Sequence, residues 1–328
     1  MKLTVLSGGV GGARFTRGLL ALLAQRLPDG AGGTTAQVTV IANTGDDLWL
    51  HGVRVCPDLD TLMYTLGGAV EESQGWGRRD ESRRVSDDLA HYGLGWEWFT
   101  LGDLDLATHL ARTELLRQGL TLSAATVHLA QRWHLPVRLL PMSDDAVETH
   151  VETADGQLVH FEEWWVRWRA SLPARRFVQV GLNGASPAPG VLEAIAEADV
   201  LVVPPSNAVV SVGTILAIPG VREVVAATGA PVVGVSPIIA GAPVRGMLDT
   251  CLATIGVAAE AAAVARHYGR RAQGGVLDAW LLDTADADAV PGLAGEGWLV
   301  AAAPTLMTDV PAAAGVAEAV LRLVDRLP

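Results

Sequence analysis

The feature that most narrows the fold is a repeated pairing: short, nearly unbroken apolar runs, each followed by a segment with helical spacing. "KLTVLSG" leads into an amphipathic stretch from Ala13 to Leu27, and "AQVTVIAN" follows. Farther on come "LPVRLLPMS", "RFVQVGLNG", "DVLVVPPSN", "PVVGVSPIIA", "AWLLDT" and "WLVAAAP". Runs without polar alternation suit strands that are covered on both faces. Helix candidates lie at Leu106–Arg117, Ser123–His134, Pro189–Ala198, Val221–Ala227, Val244–Ile255 and Ala312–Arg326. Alternation of this kind predicts an α/β chain, Rossmann-like and doubly wound around a mostly parallel sheet.

One stretch departs from the pattern. "ETHVETADGQLVHFEEW" alternates around Asp155-Gly156, a hairpin signal. The residues after it, to about Arg176, are rich in Trp and Arg and read as a helical excursion. No linker composition divides the chain. The expectation is one domain over 1–328, with an inserted hairpin and Trp-rich helical subdomain at about 146–176.

Composition excludes several classes. The two cysteines, Cys56 and Cys251, are too few for a disulfide framework, and no Cys/His cluster has zinc spacing. No apolar stretch approaches the ~20 residues of a membrane span, and no secretory leader pattern opens the chain. A soluble, cytoplasmic protein is expected, with no membrane partner. The net charge of -12 counts against nucleic acid as a partner. It also means that a phosphorylated small molecule must be held by main-chain N–H groups, a few local arginines or a bridging cation.

"LTVLSGGVGGAR" places Gly8, Gly9, Gly11 and Gly12 between a strand and a helix. Such a turn presents N–H groups at a helix N-terminus, where an anion is favoured, and lets a ligand approach the bare chain. It lacks the Gly-Lys-Ser/Thr ending of a Walker loop, and the third glycine of a dinucleotide fingerprint falls on Arg14. A tight connection without a ligand is the alternative, and Arg14 then makes a surface ion pair.

Asp46, Asp47, Asp58 and Asp60 follow the second apolar run, at the sheet edge where open α/β sheets bind ligands. They read either as helix caps or as a Mg²⁺ site, since that ion takes carboxylate and phosphate oxygens. In "TLGDLDLATHLAR", Asp103 or Asp105 suits an N-cap, with Thr108 and His109 in the first turn. Ser206, Asn207 and Ser211 in "VVPPSNAVVSVG", and Ser236 and Arg245 in "GVSPIIAGAPVRG", put small polar groups beside exposed N–H groups, as a nucleotide phosphate requires. Capped turns are the plain alternative. Trp164, Trp165 and Trp168 read as core, as a dimer contact or as walls for a flat ligand. There is no Gly-x-Ser-x-Gly elbow.

In chain order, "LSGGVGGARF", "NTGDDLWLHGVRVCPDLDTLMYTLGG", "GWGRRDES", "LGDLDLATHLAR", "LLPMSDDAVETHV", "FEEWWVRWRA", "PPSNAVVSVGTILAIPG", "SPIIAGAPVRGM" and "TLMTD" resemble the CofD family. These are the 2-phospho-L-lactate transferases of deazaflavin coenzyme F-420 biosynthesis, and the Trp-rich stretch and "PVRGM" look most like the actinobacterial, phosphoenolpyruvate-transferring branch. The resemblance implies transfer of a phospho-three-carbon acid, enolpyruvate or lactate, from a guanosine diphosphate-linked donor to the ribitol hydroxyl of the deazaflavin Fo. GMP leaves, Mg²⁺ is the cofactor, and a homodimer is implied.

Carried onto this chain, the glycine loop, Arg14, Ser206, Asn207, Ser211, Ser236 and Arg245 would line the nucleotide site. Asp46, Asp47 and Asp60 would hold Mg²⁺ or orient the hydroxyl, with Asp60 and Asp47 as the catalytic pair. Asp103, Thr108, His109 and Met142 would face Fo. Two departures stand out: Ala208 replaces a common proline, and Leu104 and Leu106 stand where archaeal relatives carry arginine. The competing reading is a regulator that binds a nucleotide sugar without catalysis, like the related gluconeogenesis factors.

Overall fold

The computed structural model describes residues 1–95 and 98–327. Its centre is a sheet of seven strands: β1 (Lys2–Ser7), β2 (Gln37–Ala42), β3 (Arg138–Pro141), β4 (Val200–Val203), β5 (Val232–Val235), β6 (Ala279–Leu282) and β7 (Leu299–Ala302). They lie in the order β7-β6-β5-β4-β1-β2-β3, every pair parallel. The order reverses between β1 and β4. At that point the connections leave the sheet in opposite directions and open a crevice beyond the strands' carboxyl ends.

Burial explains the apolar runs. Leu3 and Val5 of β1 enter the core on one face, while Leu6 joins the core on the other. All residues of β4, β5 and β6 are buried. The first helix, Val10–Arg26, covers one face with Phe15, Leu19, Leu22 and Leu23, the spacing of a single helical stripe. It packs on the last helix, Val310–Val324, where a β-carbon at Gly18 would collide with Ala313. The close crossing needs a glycine there.

The insertion is larger and more sheet-like than the sequence suggests. Glu148–Thr153 pairs antiparallel with Leu158–His160 across the expected Asp155-Gly156 turn, and on its other side with Ala174–Val180. "RFVQVGLNG" therefore belongs to this small sheet, and the insertion runs on to Val180. Its exposed Arg175 and Arg176 both pair with Glu152 rather than entering a core. A second hairpin, Leu48–Leu50 with Val53–Val55, was not expected; His51 and Gly52 turn it with φ of 49° and 80°. Both cysteines are free and buried, and no helix among the described residues is long and apolar enough to cross a membrane.

Candidate functional site

A cleft of about 730 Å³ opens at the reversal of strand order, and its floor is the glycine loop. Two loops meet there because neither has side chains in the way. The Gly8 N–H donates to Ser206 Oγ at 3.1 Å. A β-carbon at Gly11 would strike the Pro205 carbonyl, and one at Gly12 would strike Ser7 Oγ. Gly9, Gly11 and Arg14 reach the cleft, whereas Gly8 and Gly12 serve the packing beneath it. The N-cap residue Gly9 has no side chain to close the first helix; Asp58 accepts from the Gly9 main chain, and the N–H groups that follow are the kind an anion takes.

Against this positive end stand two groups of carboxylates. Asn43 Nδ2 donates to Asp46 Oδ2 at 3.0 Å and to Asp58 Oδ2 at 2.9 Å, which holds the two acids side by side. Glu162, from the insertion, faces them across the cleft. Burial is the main force on all three. Burial, then Asp58 and Glu162, hold Asp46 well above the ordinary carboxylate range. Burial pushes Asp58 up to about 6, against hydrogen bonds from Asn43 and the Gly9 main chain. Burial, Asp58 and Asp47 push Glu162 up to about 8. Among the described residues no Arg or Lys pairs with any of them, and buried Asp46 Oδ1 has no hydrogen-bond partner. The geometry leaves these carboxyl groups without a cationic partner beside the helix N-terminus.

The second group is compensated. Arg112, fully buried, grips both oxygens of Asp60 and also donates to the Arg54 carbonyl at 3.2 Å. His109 lies between the two acids, with Nδ1 at 3.4 Å from Asp60 Oδ2 and Nε2 at 3.3 Å from Asp105 Oδ2. Tyr64 Oη donates to Asp105 Oδ1 at 2.7 Å. Burial raises Asp60, with Arg112 and His109 pulling it back; burial also works on Asp105, but His109 and Tyr64 outweigh it and keep that carboxyl low. Ligand atoms of Asp60, Asp105 and His109 lie within 4.8 Å of one another. A guanidinium already occupies the best position there, so a second cation would be repelled.

Several expected site residues lie elsewhere. Asp47 is wholly buried behind the cleft, with Arg54 Nη2 at 3.8 Å, and burial pushes it up to about 7. It does not line the cleft, whereas Asp46 and Asp58 do. Met142 is core, packed with Leu140, Val147 and Ala188. Thr108 and His109 are adjacent on the helix Asp103–Arg117, about 100° apart, and only His109 turns to the cleft. Asp103, the first residue of that helix, accepts from the Leu104 N–H of its own first turn at 2.8 Å, and from Ser82 N and Ser82 Oγ at 2.9 and 2.6 Å, which ties down the preceding loop.

The remaining polar residues line the cleft but spend their side chains on turns. Asn207 Oδ1 accepts from Val209 N and Val210 N, and Ser236 Oγ both accepts from Ile238 N and donates to Ile238 O. Ser211 sits against Gly8, and Arg245 closes the far rim. The tryptophans divide. Trp164 is core and donates to the Leu172 carbonyl, Trp165 walls the cleft, and Trp168 is exposed beneath Arg167. Asn43, Tyr64, Arg112 and Glu162 were not foreseen. Arg112 had one signal, its position three residues from His109; Glu162 had none.

The fold and cleft define a doubly wound α/β protein with a glycine turn, a helix N-terminus and buried carboxyl groups gathered at one cleft. Residues 3–292 match the family described as 2-phospho-L-lactate transferase CofD, and the chain belongs to that family; it is a transferase. It is 56% identical to the phosphoenolpyruvate transferase of Streptomyces coelicolor over 330 aligned residues, covering 100% of this chain and 99% of that one. Identity to the protein of the same name from Thermobifida fusca is 55%, with 98% of each covered. A crystal structure from Bacillus halodurans, of a UPF0052 family protein, superposes with a TM-score of 0.61 at 19% identity over 98% of this chain. That likeness speaks for the fold.

Proposed function

We propose that this chain transfers a phospho-three-carbon acid, enolpyruvyl by preference, from a guanosine diphosphate-linked donor to the ribitol hydroxyl of Fo, releasing GMP in coenzyme F-420 biosynthesis. The observation that carries the reading is the juxtaposition of the first helix's N-terminus with the Asp46–Asp58 pair, which has no cationic partner among the described residues, at the reversal of strand order. Mg²⁺ usually takes one or two carboxylates and completes its shell with water and substrate phosphate. Asp46 and Asp58 fit that role, with Glu162 near enough to orient bound water, and the orphaned Asp46 oxygen is a free ligand. When bound, the ion neutralises charge on the diphosphate as the anhydride bond breaks.

This chain's own residues do the rest. Main-chain N–H groups at Gly9–Gly11 hold the diphosphate oxygens. The attacking hydroxyl forms a bond to the phosphorus that bears the acid, the anhydride P–O bond breaks, and GMP departs with that oxygen. Asp105, its carboxyl held low by His109 and Tyr64 and lining the cleft, orients the attacking hydroxyl and takes up its proton as the new P–O bond forms. Asp60, with both oxygens on Arg112, positions His109 rather than accepting a proton. Trp165 and Phe161 offer a flat apolar wall for the deazaflavin ring.

The test is incubation of the purified chain with Fo, Mg²⁺ and either the enolpyruvyl or the lactyl guanosine diphosphate ester, read by mass spectrometry. A deazaflavin carrying the phospho-acid is expected. No such product from either donor would remove the proposal.

A further inference from the structure

We infer that Arg14 and Arg245 form a second anion site that reads the carboxylate of the donor's acid, separate from the glycine loop that holds its diphosphate; the inference rests on the transferase reading above. The two guanidinium groups approach from opposite sides. Arg14 projects from the first helix one turn beyond Val10, and Arg245 from the loop after Ile239. They converge on Gly75, whose ideal β-carbon would lie 3.0 Å from Arg245 Nη1, 3.0 Å from Val10 Cγ1 and 3.5 Å from Arg14 Nη2. Gly75 has φ of 76°, so a side chain there would be strained as well as crowded. The bare position keeps the space between the cations open.

Neither arginine has a carboxylate within ion-pair distance among the described residues, whereas Arg17, one turn along, is paired with Glu72. Arg245 instead donates to the Gln74 carbonyl. The strap 71–77 is thus fastened at Glu72 and Gln74, which holds Arg245 in place at the rim of the cleft. Burial and the neighbouring Arg14 both lower the Arg245 pKa, the signature of two like charges held together without a counter-ion. A forked guanidinium pair suits a planar carboxylate. The diphosphate is already provided for by the Gly9–Gly11 N–H groups and the cation at Asp46 and Asp58. The other anionic group of the donor is its acid.

The experiment titrates the full chain calorimetrically with GDP, with the enolpyruvyl guanosine diphosphate ester, and with the same ester bearing a carboxamide in place of the carboxylate. Wild type should bind the carboxylate ester roughly ten- to a hundredfold more tightly than the amide, the range of a charge-assisted contact. Arg14→Gln and Arg245→Gln should each erase most of that preference and leave the GDP affinity within about twofold. Among the described residues only Arg245 of the pair hydrogen-bonds the strap, so Arg14→Gln guards against a merely loosened loop in Arg245→Gln. Equal binding of both esters by wild type would overturn the inference. So would equal weakening of GDP and ester in both variants, which would place the pair on the diphosphate. Failure of the transferase reading looks different: wild type would keep the carboxylate preference and yield no deazaflavin product, leaving the two-arginine site standing.

Discussion

Replacing Arg112 with methionine keeps most of the side-chain volume and removes the charge. In the native chain that guanidinium is fully buried and spans both oxygens of Asp60, itself only 4% exposed. Without it Asp60 is a buried carboxylate facing only His109. Breaking one side of a buried ion pair costs about 3–5 kcal/mol. Unfolding entropy near Tm is about 2.1 cal/mol/K per residue, or roughly 0.7 kcal/mol/K for 328 residues. The expected fall in Tm is therefore about 4–7 °C by calorimetry. The sign with pH follows from the burial that already raises Asp60. Losing Arg112 raises it further, so the folded state keeps a proton that the unfolded state has released, and the deficit grows as pH rises above the ordinary carboxylate range. Adding Asp60→Asn should recover much of the loss, because no charge is then left alone. A single variant within about 1 °C of wild type, or a double variant that loses the sum of both, would refute the pairing.

The uncompensated acids make a second prediction. Asp46, Asp58 and Glu162 keep protons in the fold that the unfolded chain releases near pH 4. Stability without metal should therefore fall as pH rises toward about 8. Mg²⁺ bound at the proposed site would replace those protons, so its gain in Tm should be larger at pH 8 than at pH 6 and absent in Asp46→Asn/Asp58→Asn; an equal gain at both pH values, or one that survives the double variant, would count against the cation site. Gly11→Ala drives a β-carbon into the Pro205 carbonyl, a main-chain atom that cannot swing aside. It should cost about 1–3 kcal/mol and weaken GDP binding, while Gly184→Ala, with open space around it, should leave GDP binding unchanged.

The parallel sheet and its glycine turn were legible in the sequence because they depend on local pattern. Strands buried on both faces carry unbroken apolar runs, and the turn at Gly11 and Gly12 needs bare backbone whatever else surrounds it. Residues 174–180 misled because an apolar-tinged run of that length fits either sheet; the arginines at 175 and 176 were the sign of an exposed face. The placement of the aspartates was not legible. Asp46 and Asp47 are neighbours in sequence, yet opposite pointing sends one into the cleft and the other behind it. Asp60 differs from Asp58 only through Arg112, which comes from a helix that the fold brings across. The contribution of Glu162 depends on how the insertion lies over the cleft, and no spacing in the chain encodes that.

A crystal grown with GDP and Mn²⁺, with data collected for anomalous scattering from the metal, would locate cation and diphosphate together. The metal peak should lie on the Asp46 and Asp58 oxygens, with the phosphates against the Gly9–Gly11 N–H groups. A peak among Asp60, Asp105 and His109, or a nucleotide bound away from the glycine turn, would contradict the site assigned here.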